Sequence, residues 1–303
     1  MFELLGKTKI DFIGKRNIAF LFSGALVLLG MIALIAIWAG KANMGIDFVG
    51  GTAVEMKFDK AVKIEDARLA LEKNGLKGAE LQEFEDGNKL LIRVKTVTTI
   101  QEKVADQIVA ILSKEIPDNK FTVESTEEIG PTIGNQLQKD ASLAVTLAMI
   151  GIVIYIAFRF EFRFGVAAAI ATFHDVLAVL GIFYLLNHEI TLLIVTALLT
   201  LAGYSLTDTV VVFDRIRENL RLRNKEPLDV VINKAINQVL SRTIVVSLTV
   251  FLVLVALFFF GGEVIHDFSF ALLIGVVVGT YSSIFVASPA LYLWRGRKGR
   301  LIR

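Results

Sequence analysis

Apolar and polar positions fall into two regimes along this chain. Six runs are almost free of charge: Ile18–Trp38, Leu143–Phe160, Phe164–Leu186, Ile190–Phe213, Thr243–Phe260 and Phe268–Trp294. At ~1.5 Å per residue, each is long enough to cross a hydrocarbon layer of roughly 30 Å as a helix. The first run exceeds the ~7–15 apolar residues of a cleaved secretory signal, so it reads as a retained anchor. The last is long enough to tilt.

Residues 39–142, between the first two runs, follow shorter periods. "TAVEMKF" (Thr52–Phe58) alternates like a half-buried strand, and "KIEDARLALEKNG" (Lys63–Gly75) has helical periodicity that ends at a glycine. "AELQEFE" and "KLLIRVK" flank Asp86-Gly87-Asn88, the pattern of a hairpin. "TTIQEKVADQIVAILSKEI" predicts a second amphipathic helix stopped by Pro117, and "FTVESTEEI" a last strand. The order β-α-β-β-α-β is that of a ferredoxin-like sandwich, with helices on one sheet face and the other face free. Ahead of it, "MGIDFVGGT" (Met44–Thr52) reads as a short strand and a Gly50-Gly51 turn. The fold class is therefore a polytopic α-helical membrane protein, six transmembrane helices with an α+β domain between spans 1 and 2.

The distribution of Lys and Arg orients the spans. The N-terminus (1–17), Arg159 and Arg163 between the second and third runs, segment 214–242 and the tail 295–303 are rich in basic residues. The connections at 187–189 and 261–267 have none. Basic residues collect on the cytoplasmic side, which places both termini in the cytoplasm and 39–142 outside. Within 214–242, Leu220, Leu222, Val230, Val231, Ile236, Val239 and Leu240 suit an amphipathic segment lying along the inner surface and broken before Pro227. The absence of cysteine excludes disulfides, Cys-based zinc sites and thiol nucleophiles. No metal or cofactor motif is present; "HEITL" (188–192) lacks the second His of a zinc protease, and no Gly-x-Ser-x-Gly elbow occurs. No enzyme, cofactor or nucleic-acid partner is expected.

The chemistry that stands out is charge inside the runs. Asp208 is the only charged residue between Ile190 and Phe213. A carboxylate at a helix centre costs roughly 2.5 kcal/mol or more to insert, so it needs a reason. Counting from the outside, Asp208 lies about 10 Å past the middle of its span toward the cytoplasm. It reads either as a group reaching the inner interface or held by helix contacts, or as a protonatable working group. Thr196, Thr200, Tyr204 and Asp208 recur every four residues, with Thr207 at their border, and predict a polar face turned to the bundle interior or a water path. His174 and Asp175 lie near the middle of the third span and form either a hydrogen-bonded packing unit or a relay. Arg242, at the cytoplasmic end of the fifth, reads as an interface anchor or as a partner for Asp208. Gly275, Gly279 and Ser283 form a small face suited to close helix packing.

Several of these stretches together resemble one family. "MGIDFVGGT" after a first span, "GYSLTDTVVVFDRIREN" in the fourth, "ATFHDV" (Ala171–Val176) and "SRT" (Ser241–Thr243) are similar to the signatures of the SecD/SecF protein-export family, of the resistance-nodulation-division superfamily. The resemblance covers essentially the whole chain, and the single modest outside domain fits the second-named branch. It makes Gly45, Asp47, Phe48, Gly50, Gly51 and Thr52 the family motif. It also implies that Asp208 and Arg242 serve proton conduction. Burial favours the neutral form of a carboxyl and a nearby cation the charged form, so moving an Arg would switch proton affinity.

In that superfamily two six-span halves form the transporting unit, so the resemblance implies a SecD partner, the SecYEG translocon with its accessory membrane subunits, an exported unfolded polypeptide and the surrounding lipid. The function implied is an auxiliary subunit of the Sec translocase in the bacterial inner membrane, coupling a proton or sodium gradient to late steps of export. The alternatives are half of an exporter of lipids or small molecules, and a non-conducting assembly scaffold.

Overall fold

The computed structural model describes residues 8–84, 88–95, 104–222 and 226–295. The chain divides into two compact units, residues 44–143 and a second made of 1–43 with 144–303.

In the first unit, α2 (Ile46–Val49) precedes β1 (Gly51–Phe58), α3 (Ile64–Lys73), β2 (Glu80–Glu83), β3 (Lys89–Lys95), α4 (Val104–Glu115) and β4 (Phe121–Ile129). The helix α1 (Arg16–Trp38) lies before them in the chain. The sheet is antiparallel in the order β2-β3-β1-β4, which is ferredoxin-like. Alternation along β3 buries Leu90, Ile92 and Val94 on one face, and β1 adds Val54, Met56 and Phe58. Val54 pairs with Ile92 and Met56 with Leu90, so the two apolar sets share a face. Leu71 of α3 and Ile108 and Leu112 of α4 close over it. On β4 every residue from Thr122 to Glu128 is exposed. The predicted turn at Asp86-Gly87 and the first residues of the second amphipathic helix lie outside the described residues, as do 1–7 and the tail beyond Arg295.

Met44–Thr52 departs from the expected strand. Ile46–Val49 is one helical turn, with the Gly45 carbonyl accepting from the N–H groups of Phe48 and Val49 at 3.0 and 3.2 Å. Ile46 and Phe48 are both buried by this turn. The chain then reverses at Gly50, whose φ of +79° is the left-handed region that favours glycine. A Cβ on Gly51 would stand 2.5 Å from the Val94 carbonyl oxygen. The Gly-Gly pair is thus a corner into β1 that no larger residue fits.

The second unit contains α1, α6 (Phe162–Leu185), α7 (Leu192–Leu222), α8 (Leu228–Phe260), α9 (Glu263–Ser282), a π-helical turn (Ser283–Ala287) and α10 (Ser288–Arg295). The helix α5 runs unbroken from Pro131 to Arg159, starting well before the apolar onset at Leu143, with proline at its first position where no N–H is needed. Among the described residues, six helices are long and apolar enough to cross a membrane. The spans of α6 and α9 are mostly buried and that of α7 half so, whereas those of α1, α5 and α8 are largely exposed. Segment 214–242 is not a separate surface helix. Its halves complete α7 and begin α8, and the break between them ends at Pro227. Leu220, Val231, Ile236 and Leu240, expected on a segment lying along the inner surface, instead form part of the core, together with Ile216.

Close approach between helices follows the small residues. A Cβ on Gly275 would meet the Leu201 side chain at 2.6 Å and one on Gly279 the Ser205 Cβ at 3.2 Å. One step further on, Ser283 Oγ lies 3.0 Å from Thr209 Oγ1. The stripe 275–279–283 therefore lies in register along 201–205–209 of α7. Similarly, a Cβ on Gly181 would stand 2.6 Å from the Gly30 nitrogen, so α1 and α6 touch through their backbones.

Candidate functional site

Two buried carboxyl groups lie within the spans, Asp175 on α6 and Asp208 on α7. Asp175 of α6 is fully buried. Its Oδ1 lies 2.8 Å from His174 Nδ1, and its Oδ2 accepts from Ser205 Oγ of α7 and, at 2.7 Å, from Ser282 Oγ of α9. One carboxylate thereby ties three helices together. His174 is also buried, and its Nε2 has no hydrogen-bond partner among the described residues. The pair is hydrogen-bonded, an arrangement that serves either a packing unit or a relay.

Asp208 is 6% exposed and turns toward α8, where Ser247 Oγ donates to its Oδ2 at 3.3 Å. Ser247 in turn accepts from Thr280 Oγ1 of α9 at 2.7 Å. The Tyr204 hydroxyl is buried beside Ser247 and Asp208 without a well-formed hydrogen bond. No ion pair reaches Asp208 among the described residues. Arg242 is exposed on α8 and makes no hydrogen bond or ion pair there with another described residue. It precedes Ser247 by five residues, so it lies about 7 Å along the helix from Ser247 and about 140° around it.

The expected polar stripe does not hold together as one interior face. Thr196, Thr200 and Thr207 are exposed and donate to carbonyls of their own helix, at Leu192, Thr196 and Tyr204 respectively. Only Tyr204, in part, and Asp208 turn inward. The reason is geometric: steps of four residues advance about 400°, so a stripe drifts by about 40° per step and Thr196 ends about 120° from Asp208. Gly203 lies on this open side, and nothing stands within 4 Å of where its Cβ would be. The hydroxyls that do meet the carboxyls, Ser205 and Ser282 at Asp175 and Ser247 at Asp208, carried only one signal in the sequence, as Ser within apolar runs.

At the inner end, Asp214 pairs with Arg159 at 2.7 Å and Arg215 with Glu218 at 2.6 Å, partly exposed as expected of a span boundary. Among the described residues, no group of three or more His, Asp or Glu is arranged to hold a metal ion.

Six apolar helices around buried polar groups, with a ferredoxin-like domain inserted after the first, define a polytopic membrane protein of the transporter kind. The family model for the C-terminal part of SecD/SecF protein-export membrane proteins matches residues 108–297, and that for the SecD/SecF GG motif matches 35–62. The chain therefore belongs to the SecD/SecF family. It is 52% identical over 295 residues to the protein translocase subunit SecF of Thermodesulfovibrio yellowstonii, covering 97% of both chains. It is 44% identical to that of Endomicrobium trichonymphae, covering 97% of this chain and 94% of the relative. Among solved structures it is similar to SecDF of Thermus thermophilus, described as a translocon-associated membrane protein, with a TM-score of 0.82 and 36% identity. That match covers 95% of this chain and 39% of the solved one, so the chain spans well under half of the SecDF polypeptide. A SecDF crystal structure in a super-membrane-facing form matches with a TM-score of 0.71.

Proposed function

We propose that this chain is an auxiliary subunit of the Sec protein translocase that couples an ion gradient to polypeptide export, with Asp208 as the group that takes up and releases the proton. The reading rests on one observation: Asp208 is buried in a membrane helix with a neutral serine, not a cation, as its hydrogen-bond partner. A buried charge without a counter-charge is costly, and binding a proton removes the charge. Uptake and loss of a proton at this point would therefore change the balance of helix packing between α7, α8 and α9. A proton crossing a potential of 100 mV releases about 2.3 kcal/mol, enough to bias such an equilibrium.

The partner half is SecD, seated on the open side of α7 that carries Thr196, Thr200, Gly203 and Thr207. Arg242, exposed on α8, has a role only once that side is covered: it then answers the charge on Asp208 or on a group brought by the partner. Supporting this division, the solved SecDF chain is more than twice as long as the part this chain matches. The unit sits in the bacterial inner membrane with both termini cytoplasmic and 39–142 periplasmic, beside the SecYEG translocon. There the exposed β4 edge and sheet face are available to the emerging polypeptide or to the partner's own outside domain.

The test is Asp208→Asn, an isosteric neutral change, in inner-membrane vesicles carrying SecD and the translocon. Insertion and co-purification with SecD should be unchanged while gradient-dependent export is abolished; Arg242→Ala should give a milder loss. Export at the wild-type rate in the Asp208→Asn vesicles would overturn the proposal.

A further inference from the structure

Ser247 and Thr280 do more than fill space beside Asp208. Thr280 Oγ1 has two acceptors within reach: Ser247 Oγ at 2.7 Å and the Val276 carbonyl oxygen, on its own helix, at 2.8 Å. A hydroxyl carries one proton, so it makes one of these bonds at a time. That choice makes the chain reversible. With Asp208 ionised, Thr280 donates to Ser247 and Ser247 donates to Asp208. With Asp208 protonated, the carboxyl donates to Ser247, Ser247 donates to Thr280, and Thr280 turns to the Val276 carbonyl. Every hydroxyl proton is paired in both states, so neither state leaves an orphaned buried donor.

The chain also has an open end. Ser247 and Thr280 both line a cavity of about 710 Å³ bounded by α8, α9 and residues 8–12. Its lining is mainly apolar; Thr8 and Tyr281 are its other hydroxyl-bearing residues, and Thr8 Oγ1 has no hydrogen-bond partner among the described residues.

We propose that Ser247 and Thr280 form a two-hydroxyl relay that carries the proton between Asp208 and water entering this cavity. In release, the Asp208 O–H bond breaks and its proton passes to Ser247 Oγ. Ser247 gives its own proton to Thr280 Oγ1, and Thr280, its hydroxyl turned from the Val276 carbonyl to a water molecule, gives its proton to that water, which becomes hydronium; Asp208 is left as carboxylate and the two hydroxyls stand as in the ionised state. Uptake is the reverse, after which the Thr280 hydroxyl turns back to the Val276 carbonyl. Ser247 and Thr280 are relay and positioning residues for Asp208, and the inference rests on the reading of Asp208 as the proton-exchanging group.

The experiment measures gradient-driven export and dye-reported proton uptake in vesicles holding the whole assembly, with Asp208→Asn run in parallel. Thr280→Val keeps the side-chain shape and removes the hydroxyl; Ser247→Ala removes the middle link. Each is expected to slow both rates by about tenfold or more and to change the solvent isotope effect, while Thr280→Ser and Ser247→Thr restore them. Wild-type rates in Thr280→Val and Ser247→Ala, with Asp208→Asn inactive, would overturn the relay and leave Asp208 served by another route. Wild-type rates in all three would overturn the underlying reading of Asp208 as well. Should a variant assemble poorly, Thr280→Cys in this cysteine-free chain gives a second measure. A small water-soluble thiol reagent is expected to label it and stop proton uptake, and failure to label would overturn the relay's water-facing end.

Discussion

Replacing Asp175 with alanine removes a carboxylate on which three helices converge. Ser205 of α7, Ser282 of α9 and the neighbouring His174 all direct polar groups at its two oxygens, at 2.7 Å for Ser282 and 2.8 Å for His174. Hydrogen bonds between membrane helices average about 0.6 kcal/mol by double-mutant cycle and reach about 1.7, so the two from Ser205 and Ser282 contribute roughly 1–3 kcal/mol, the His174 contact lying within α6 itself. With a transition shifting by about 2 °C per kcal/mol for a chain of this size, Asp175→Ala should melt about 2–7 °C below wild type in detergent or lipid. Asn preserves one acceptor oxygen and is expected to fall between the two. The assay is thermal unfolding followed by a dye at a single introduced cysteine on α9, which the cysteine-free sequence permits. A relay role predicts the opposite pattern, with unchanged melting and lost export in Asp175→Asn. A melting temperature equal to wild type in Asp175→Ala would refute the packing argument.

Two more expectations follow from other parts of the molecule. Because nothing lies within 4 Å of a Cβ at Gly203, Gly203→Leu should insert and melt like wild type yet lose most co-purification with SecD, while undiminished recovery of SecD would place the partner elsewhere. Asp11 accepts from the Gly14 N–H at 2.8 Å and from Asn233 Nδ2 at 2.7 Å, which holds residues 10–14 against α8. The Gly14 N–H is the largest cause holding the Asp11 carboxyl below its ordinary value of 3.8, with Asn233 next. A lowered folded-state value means that its contribution is complete above that ordinary value and is lost as pH falls through the lower one. Amide exchange at Ile10–Gly14 should therefore be insensitive to Asp11 ionisation near neutrality. It should accelerate at strongly acidic pH and, in Asp11→Asn, at neutral pH as well, as compared by hydrogen-exchange mass spectrometry at matched chemical exchange rates.

The spans, their number and the inserted sandwich were legible from local pattern. Alternation in "KLLIRVK" and helical spacing in "KIEDARLALEKNG" depend only on which side of each element is apolar, and that survives into the fold as the buried set Leu90, Ile92, Val94 and Leu71. Asp208 was legible for the same reason, as a charge where the period allows none. The small stripe Gly275–Gly279–Ser283 was readable as a contact face but not its partner, since register against Leu201, Ser205 and Thr209 belongs to two helices at once. The apolar residues of 214–222 and 228–242 were misjudged because an apolar stripe facing lipid and one facing another helix have the same composition.

What sequence alone determined, then, is the set of elements and the residues that could not be there without a reason: six spans, a β-α-β-β-α-β insert, a Gly-Gly corner, and carboxyls at 175 and 208. Only the tertiary structure decided what surrounds those carboxyls. It placed Asp175 among the hydroxyls of two other helices, gave Asp208 a hydroxyl chain through Ser247 and Thr280, and left Arg242, Thr196, Thr200 and Thr207 on the outside. The physical reason is that hydrophobic periodicity is a property of one helix, whereas a hydrogen bond between spans depends on the rotation and register of both.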